Sequence, residues 1–388
     1  MMLVGIACDL RSEYLAMGYG REQTAELDSE ETVEAIAGAL ETHGCDVQII
    51  GSLRRLAARI ASGDRWDLVF NIAEGFYGSA REAQVPALLE AYGIPCTFSD
   101  AMTLCVAQHK GLAKLAAAAS GVPTPPSIVV GPDTRSEHGF RDATSHLQYP
   151  LFVKPACEGT SKGISIASLV LSPEELEERL YSVLARFPGP VLVEEYLPGR
   201  EFTVGVAGVA GTSRSLGVAE IILRDSADGA IYSYRNKEEC EHRVDYLPAS
   251  GAVADEAASV AVAAWRALGC RDAGRVDVRQ DRDGRISFIE VNPLAGLHPS
   301  HSDLPILCNF SGVSYAELIG TILAEASARI PLVCAEGPAV RPIVATDHAA
   351  TGPADRTPAA RILVDPIGAA RHDRHFQWKA GVRSASGW

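Results

Sequence analysis

Residues 275–293 read Arg-Val-Asp-Val-Arg-Gln-Asp-Arg-Asp-Gly-Arg-Ile-Ser-Phe-Ile-Glu-Val-Asn-Pro, and their reading decides the fold. Apolar and polar residues alternate on either side of Asp283-Gly284, a dipeptide suited to a tight reversal, so two strands joined by a hairpin are predicted. Period two puts Arg275 and Asp277 on one face of the first strand, and Glu290 and Asn292 on one face of the second. If the strands pair, two carboxylates and an amide oxygen converge. Oxygen-only donors of this kind suit Mg²⁺, which takes carboxylates, waters and substrate phosphates. The same residues would also serve as a cross-strand Arg–carboxylate ion pair.

Further back, Tyr149-Pro150-Leu151-Phe152-Val153-Lys154 reads as a strand that delivers Lys154 to a polar loop, Pro155-Ala156-Cys157-Glu158-Gly159-Thr160-Ser161-Lys162-Gly163. Backbone freed by glycine, with the Thr160 and Ser161 hydroxyls, suits phosphate oxygens; a Gly-rich hairpin turn is the competing reading. Val191 to Glu195 is another strand, running into Tyr196-Leu197-Pro198-Gly199-Arg200-Glu201. An extended segment can offer N–H and C=O groups to an adenine edge, and Glu201 can accept ribose hydroxyls. A surface loop with solvated carboxylates would look the same.

The first hundred residues alternate strand and helix. Short apolar runs at 3–8, 47–50 and 67–71 and a further strand after Gly93-Ile94-Pro95 flank helical patterns at 29–42, capped by Ser29, and 85–92. Such alternation implies a parallel sheet with flanking helices. Helices follow at 104–119, 173–187, 253–268 and 314–329. The divisions drawn are an N-terminal α/β domain over 1–103, a central one over 104–188, a third over 189–330, and a tail over 331–388.

The 388 residues carry a net charge of −14, with 47% hydrophobic and 22% charged residues, which excludes wholesale disorder and a general nucleic-acid binder. No apolar run approaches the roughly 20 residues of a membrane span. The run at 3–8 lacks a basic segment before it and reads as a buried strand, not an export signal. Nine cysteines without a CxxC pair argue for reduced thiols in the cytoplasm, and against a disulfide framework or a zinc site. Only 6 of the 35 basic residues are Lys, so each Lys merits attention as a compact ammonium that Arg does not imitate. The tail is set apart by 7 basic against 5 acidic residues.

Taken in order, these segments resemble the ATP-grasp carboxylate–amine ligases, and within them the D-alanine–D-alanine ligase family, from about residue 3 to 330. Arg81-Glu82-Ala83-Gln84-Val85-Pro86-Ala87-Leu88-Leu89-Glu90, Tyr92-Gly93-Ile94-Pro95 and His109-Lys110 extend the match. The resemblance implies an α/β, three-domain ATP-grasp fold with an N-terminal parallel-sheet domain, and nucleotide between the second and third domains. It implies ATP as cosubstrate and two Mg²⁺ ions, with Mn²⁺ as a substitute, held by Asp277, Glu290 and Asn292. Lys110 and Lys154 would contact phosphates, under a closing loop of Glu158, Gly159, Thr160, Ser161 and Gly163. Glu194 and Leu197 would hold adenine through their backbones, Glu195 and Tyr196 would line its pocket, and Glu201 would bind ribose. Lys237 would reach the terminal phosphate. Arg275 and the Gly296 N–H would stabilise the reacting carboxylate. Glu26, or Asp28 nearby, would bind the amine of the first substrate.

The reaction implied is amide formation through an acyl phosphate, with release of ADP and phosphate and a dipeptide or amino-acid conjugate as product. The partners expected are a small carboxylate and an amine, with no nucleic acid and no membrane, in a cytoplasmic protein of homodimeric habit. Two rival readings are a cell-wall D-alanine–D-alanine ligase and a non-catalytic nucleotide-binding relative.

The substrate end departs from the family. Thr160 and Glu238 stand where a Ser and a Tyr are usual, Pro293-Leu294-Ala295-Gly296-Leu297 replaces a Ser-Pro-Gly stretch, and His109 replaces an Asp. Glu238, a charge where a phenol is usual, would favour a different, cationic second substrate, or alter how the loop closes. His298 and His301 would line the acceptor pocket, or be plain loop histidines. Lys114 is expected to be solvent exposed, Lys162 either to touch phosphate or to project from the loop, and His372 and His375 to have no role in metal binding.

Overall fold

The segment Met2-Leu3-Val4-Gly5-Ile6-Ala7 has no polar side chain, so the strand it forms must be covered on both faces. In the computed structural model, which describes residues 1–131, 139–187, 189–224 and 243–330, that strand, β1 (Met2–Ala7), is the centre of a sheet. It runs parallel to β2 (Cys45–Gly51) on one side and β3 (Leu68–Asn71) on the other. The connections hold α1 (Arg11–Ala16), α2 (Glu30–Thr42), α3 (Leu53–Ala61) and α4 (Gln84–Ala91). Ser29 caps α2 by accepting the Thr32 N–H at 3.3 Å, as its position predicts. The fourth strand expected after Pro95 is reduced to one bridge, Val69 to Cys96. Pro95 brings no N–H donor, and Phe98 at φ +67° turns the chain away.

The single helix expected over 104–119 is two, α5 (Ala101–Gln108) and α6 (Lys110–Ala119), broken at His109. The His109 ring accepts the Leu112 N–H at 3.2 Å and so caps the second helix. His109 itself is extended, at φ −92° and ψ 92°, and the Lys110 N–H donates to the Ala156 carbonyl at 2.9 Å, tying the helix start to the Gly loop. A Cβ at Gly111 would lie 2.2 Å from a Val129 methyl, so glycine there lets β4 (Ser127–Val130) approach.

A second sheet follows, antiparallel throughout, in the order β4, β7 (Val191–Glu195), β5 (Leu151–Pro155), β6 (Leu169–Val170). Helices α7 (Gly139–Thr144) and α8 (Pro173–Arg186) complete this part, and α8 buries Leu176, Leu180 and Val183 against the sheet. The third sheet, also antiparallel, runs β10 (Val244–Pro248), β9 (Arg214–Leu223), β8 (Glu201–Ala207), β11 (Ala273–Gln280), β12 (Ile286–Asn292). Helix α9 (Ala252–Ala267) packs on it through Ala257, Ala261 and Ala264, a small-residue stripe at helical spacing.

The last two helices, α10 (Asp303–Phe310) and α11 (Tyr315–Arg329), return the chain to its beginning. Leu318, Ile319 and Ile322 of α11 share a core with Val33, Ile36 and Leu40 of α2. His43 Nε2 meets the Ala316 carbonyl at 2.8 Å. Contacts divide the chain into Met1–Cys334 and Ala335–Trp388; the tail, with His372 and His375, lies outside the described residues, as do Lys237 and Glu238. Among the described residues no single helix is long and apolar enough to cross a membrane.

Trp265 locks α9 to the third sheet. It is fully buried, its indole N–H donates to the Gly208 carbonyl at 2.9 Å, and a Cβ on Gly274 would strike its ring at 2.6 Å. Trp265→Ala removes the ring and the hydrogen bond together. A loss of about 3–5 kcal/mol in urea unfolding is expected, and a loss under 1 kcal/mol would show that the contact is dispensable.

Candidate active site

Alternation in the 275–293 hairpin is realised as paired register. Asp277 lies opposite Glu290, and Arg275 opposite Asn292, on β11 and β12. Arg275 is 7% exposed; it contacts both Asp277 carboxylate oxygens, and its Nε lies 3.2 Å from Asp303 on α10. The Arg–carboxylate pair read from the sequence as cross-strand therefore joins neighbours on one strand. Burial opposes the Arg275 charge, but Asp277 and Asp303 outweigh it and raise its pKa. Burial raises the Asp277 carboxyl; Arg275 opposes that, while Glu290 and Asp303 add to it. Negative charge is thus in surplus here.

No group of three His, Cys, Asp or Glu side chains with metal-holding geometry occurs among the described residues. The candidate set reaches three only with the Asn292 amide, whose buried Nδ2 has no partner. Asp277, Glu290 and Asn292 offer oxygens alone, in a place short of positive charge, and so fit a hard divalent cation.

Lys114 overturns its expectation. It is 2% exposed, its ammonium lying 2.9 Å from Glu194 and 3.1 Å from the Phe288 carbonyl. Its fourth-residue offset from Lys110 places it under β7 and β12 instead of in solvent. Lys154 reaches the other Glu194 oxygen, also at 2.9 Å. Burial works against all three charges, but the two ammoniums hold the Glu194 carboxyl below its usual range, and Glu194 with Glu290 holds the Lys154 ammonium above its own. Lys114 comes out lowered, because burial and Lys154 exceed the pull of Glu194.

Lys154 and Glu194 line a cleft of about 90 Å³ with Phe152, Ser161, Glu195, Tyr196, Leu197 and Glu201; all of these but Phe152 are residues that the family resemblance grouped around a nucleotide. Arg279 also lines it, 2.9 Å from Glu201, with its guanidinium over the Tyr196 ring at 5.1 Å. It was passed over, although period two from Arg275 and Asp277 leads straight to it. The cleft is smaller than the roughly 300 Å³ of a typical small-molecule site.

A second cavity, about 770 Å³, lies alongside and shares Arg275 and Glu290 with the first. It is lined by Glu26, Asp28, Lys110, Glu158 to Thr160, Asn292, Gly296, His298 and His301. Lys110 donates to the Glu158 carbonyl at 2.6 Å and stands 3.5 Å from Glu290. Glu26 receives Arg81 at 3.1 Å, Lys162 at 2.9 Å and the Gly159 N–H at 2.9 Å. A Cβ on Gly159 would lie 2.4 Å from that carboxylate, so a larger residue there would have to push Glu26 off its partners. Lys162 therefore neither projects from the loop nor reaches an open site; it folds back onto Glu26. Burial alone would raise the Glu26 carboxyl, but Arg81 and Lys162 hold it low. Asp28, the alternative anchor, is pushed up to about 7 by burial and by Asp9. Thr160 and Ser161, at φ +48° and +53°, place two consecutive non-glycine residues in the left-handed region, a strained turn of the kind found at functional loops.

The His298 and His301 rings are tilted by 39° with centroids 4.6 Å apart, and His298 Nε2 is 3.5 Å from Glu31. Arg81, Glu74, Glu82 and Asp303 were given no role from the sequence. Arg81-Glu82 lay in a quoted stretch, but nothing in its spacing marks it as facing a cavity.

A family model described as "D-ala D-ala ligase C-terminus" matches residues 116–324. The chain is 34% identical over 294 residues to a D-alanine–D-alanine ligase of Bordetella petrii, covering 75% of this chain and 85% of that protein. It is 32% identical over 288 residues to one of Xylella fastidiosa, covering 74% and 90%. It also superposes on the crystal structure of D-alanine–D-alanine ligase from Bacillus anthracis with a TM-score of 0.65 at 20% identity, over 85% of this chain and 99% of that one.

Two outcomes follow from the buried charges. Glu194→Gln leaves two ammoniums facing a neutral amide, and a loss of about 3–5 kcal/mol is expected in urea unfolding. Asp28 and Glu82 both titrate near 7, the second raised by burial and Glu26 against the pull of Arg81. A carboxyl raised on folding contributes stability that is complete below its unfolded pKa and is lost as pH rises through the folded value. For these two the window runs from 3.8 and 4.5 up to about 7. Asp28→Asn with Glu82→Gln should flatten the fall of the urea midpoint across that window, and an unchanged slope would contradict the assignment.

Proposed function

The chain belongs to the D-alanine–D-alanine ligase family, and from that premise we propose that it joins the carboxylate of one amino acid to the amine of another. It is an ATP-dependent carboxylate–amine ligase; the amino-acid substrates and the roles below are our reading. The observation that carries it is that the two clefts share Arg275 and Glu290. A phosphoryl donor in the smaller cleft and a carboxylate in the larger would meet there.

A carboxylate is a poor electrophile. Transfer of the terminal phosphoryl group to its oxygen gives an acyl phosphate and ADP; the amine then attacks the carbonyl carbon, phosphate leaves with the bonding pair, and the amine loses a proton. Such transfer depends on positioning and charge neutralisation more than on a protein nucleophile. Lys154 is fixed by Glu194 at the floor of the nucleotide cleft, and Lys110 stands between the Gly loop and Glu290. Phe152 and Tyr196, 6.3 Å apart and near-parallel, offer faces to a base, and Glu201 an acceptor to ribose. Arg275 and the Gly296 N–H would meet negative charge developing on the reacting carboxylate. Asp277, Glu290 and Asn292 would hold Mg²⁺, which supplies further neutralisation of phosphate charge when bound. The Gly loop, tied to Glu26, would keep water from the acyl phosphate.

A second reading, D-alanine at both substrate positions, is favoured by the names of the curated relatives. One assay separates the readings. Phosphate release is followed over pairs of amino acids with ATP and Mg²⁺, and products are identified by mass. Turnover with D-alanine alone supports the second reading; silence with D-alanine but amide product from other pairs excludes it. Asp277→Asn should lower kcat about 100-fold or more, and chelation of Mg²⁺ should abolish turnover. No ATP-dependent product from any pair, or full activity in Asp277→Asn, would leave a nucleotide-binding relative without ligase chemistry.

A further inference from the structure

One wall of the larger cavity is built from carboxylates: Glu26, Asp28, Glu31, Glu74 and Glu82 all line it. They are not equivalent. Glu26 is neutralised by Arg81 and Lys162, so its capacity is already used. Glu74 takes no hydrogen bond or ion pair from the described residues, and burial together with Glu82, Glu26 and Asp28 pushes its carboxyl far up. Glu82 is pushed up to about 7. Lys110 is directed to Glu158 and Glu290, and Arg81 to Glu26 and the Cys157 carbonyl. Two carboxylates are thus left short of positive charge at the same place.

Gln108, the last residue of α5, is the independent observation. It is 7% exposed and lines the same cavity. Its Nε2 donates to Glu82 at 3.0 Å, while its carbonyl oxygen is buried with no partner. Flipping the amide would not help, because the oxygen would then face the Glu82 carboxylate. A buried acceptor without a donor costs free energy, and the residue that carries it lines a ligand-sized cavity together with Glu74 and Glu82.

We propose that Glu74, Glu82 and the Gln108 carbonyl form a subsite for a distal cationic nitrogen, so that one of the two amino acids joined carries a basic side chain. An ammonium brings three donors and a charge, and a guanidinium brings five; either would answer the two carboxylates that line the cavity, and a turn of the Gln108 side chain would bring its carbonyl to the same cation. A neutral side chain such as that of alanine leaves all three groups unanswered. This subsite rests on the ligase reading but uses residues that reading does not need.

The test compares lysine and ornithine with norleucine, which matches lysine in length but lacks the charge. Each is supplied in both enantiomers with ATP, Mg²⁺ and a second amino acid drawn from glycine and D-alanine, and ADP and amide product are measured. A basic member should exceed norleucine by about tenfold or more in kcat/KM. Glu82→Gln and Gln108→Leu should each reduce that ratio by about tenfold, and either variant suffices if the other fails to fold. Norleucine matching the basic amino acids, or a ratio untouched by the variants, overturns the subsite while leaving ligation standing. No amide from any pair overturns the ligase reading as well.

Discussion

A charge buried without a partner is expensive enough to unfold a domain, and that constraint organises this molecule around three buried clusters. Arg275 sits between Asp277 and Asp303, Glu194 between Lys114 and Lys154, and Glu26 between Arg81 and Lys162. Each cluster joins elements far apart in sequence. The first joins β11 to α10, the second α6 and β5 to β7, and the third the N-terminal part to the Gly loop. The sheets could be kept apart by apolar packing alone; the charge clusters fix where their edges must meet, and the two cavities open along those edges.

The clusters also show why the site was only partly legible in sequence. Alternation in a strand is a local rule, so Arg275, Asp277, Glu290 and Asn292 were assigned to facing positions before any fold was known, and the register agrees. The same alternation places Arg279 on that face, where it meets Glu201. Lys114 was misplaced because a helix shows its buried face only against what covers it, and the cover here is β7 and β12, some eighty and more residues away. Gln108, Glu74 and Glu82 had no pattern at all, since a cavity wall assembled from a helix end, a loop and a single 3-10 turn has no period.

The strands and helices were legible to within a residue or two where patterns were long, as in α2, α8 and α11. The errors came where one contact overrode propensity. The break at His109 accompanies the tie of the Lys110 N–H to the Ala156 carbonyl, a contact 46 residues away in sequence. The lost strand after Pro95 has local causes, a proline without a donor and the left-handed Phe98, of which only the proline is visible in the sequence.

The packing of α11 on α2 has a consequence for how the chain is made. The first sheet is complete by residue 71, yet part of the core beside α2 is supplied by Leu318, Ile319 and Ile322. A ribosome delivering the chain from its N-terminus must synthesise nearly all the described residues before that face of α2 can be covered. The contact has a very large sequence separation, which slows its formation relative to local pairs. The N-terminal sheet should therefore spend the longest time of any part with an apolar helix face open to other chains.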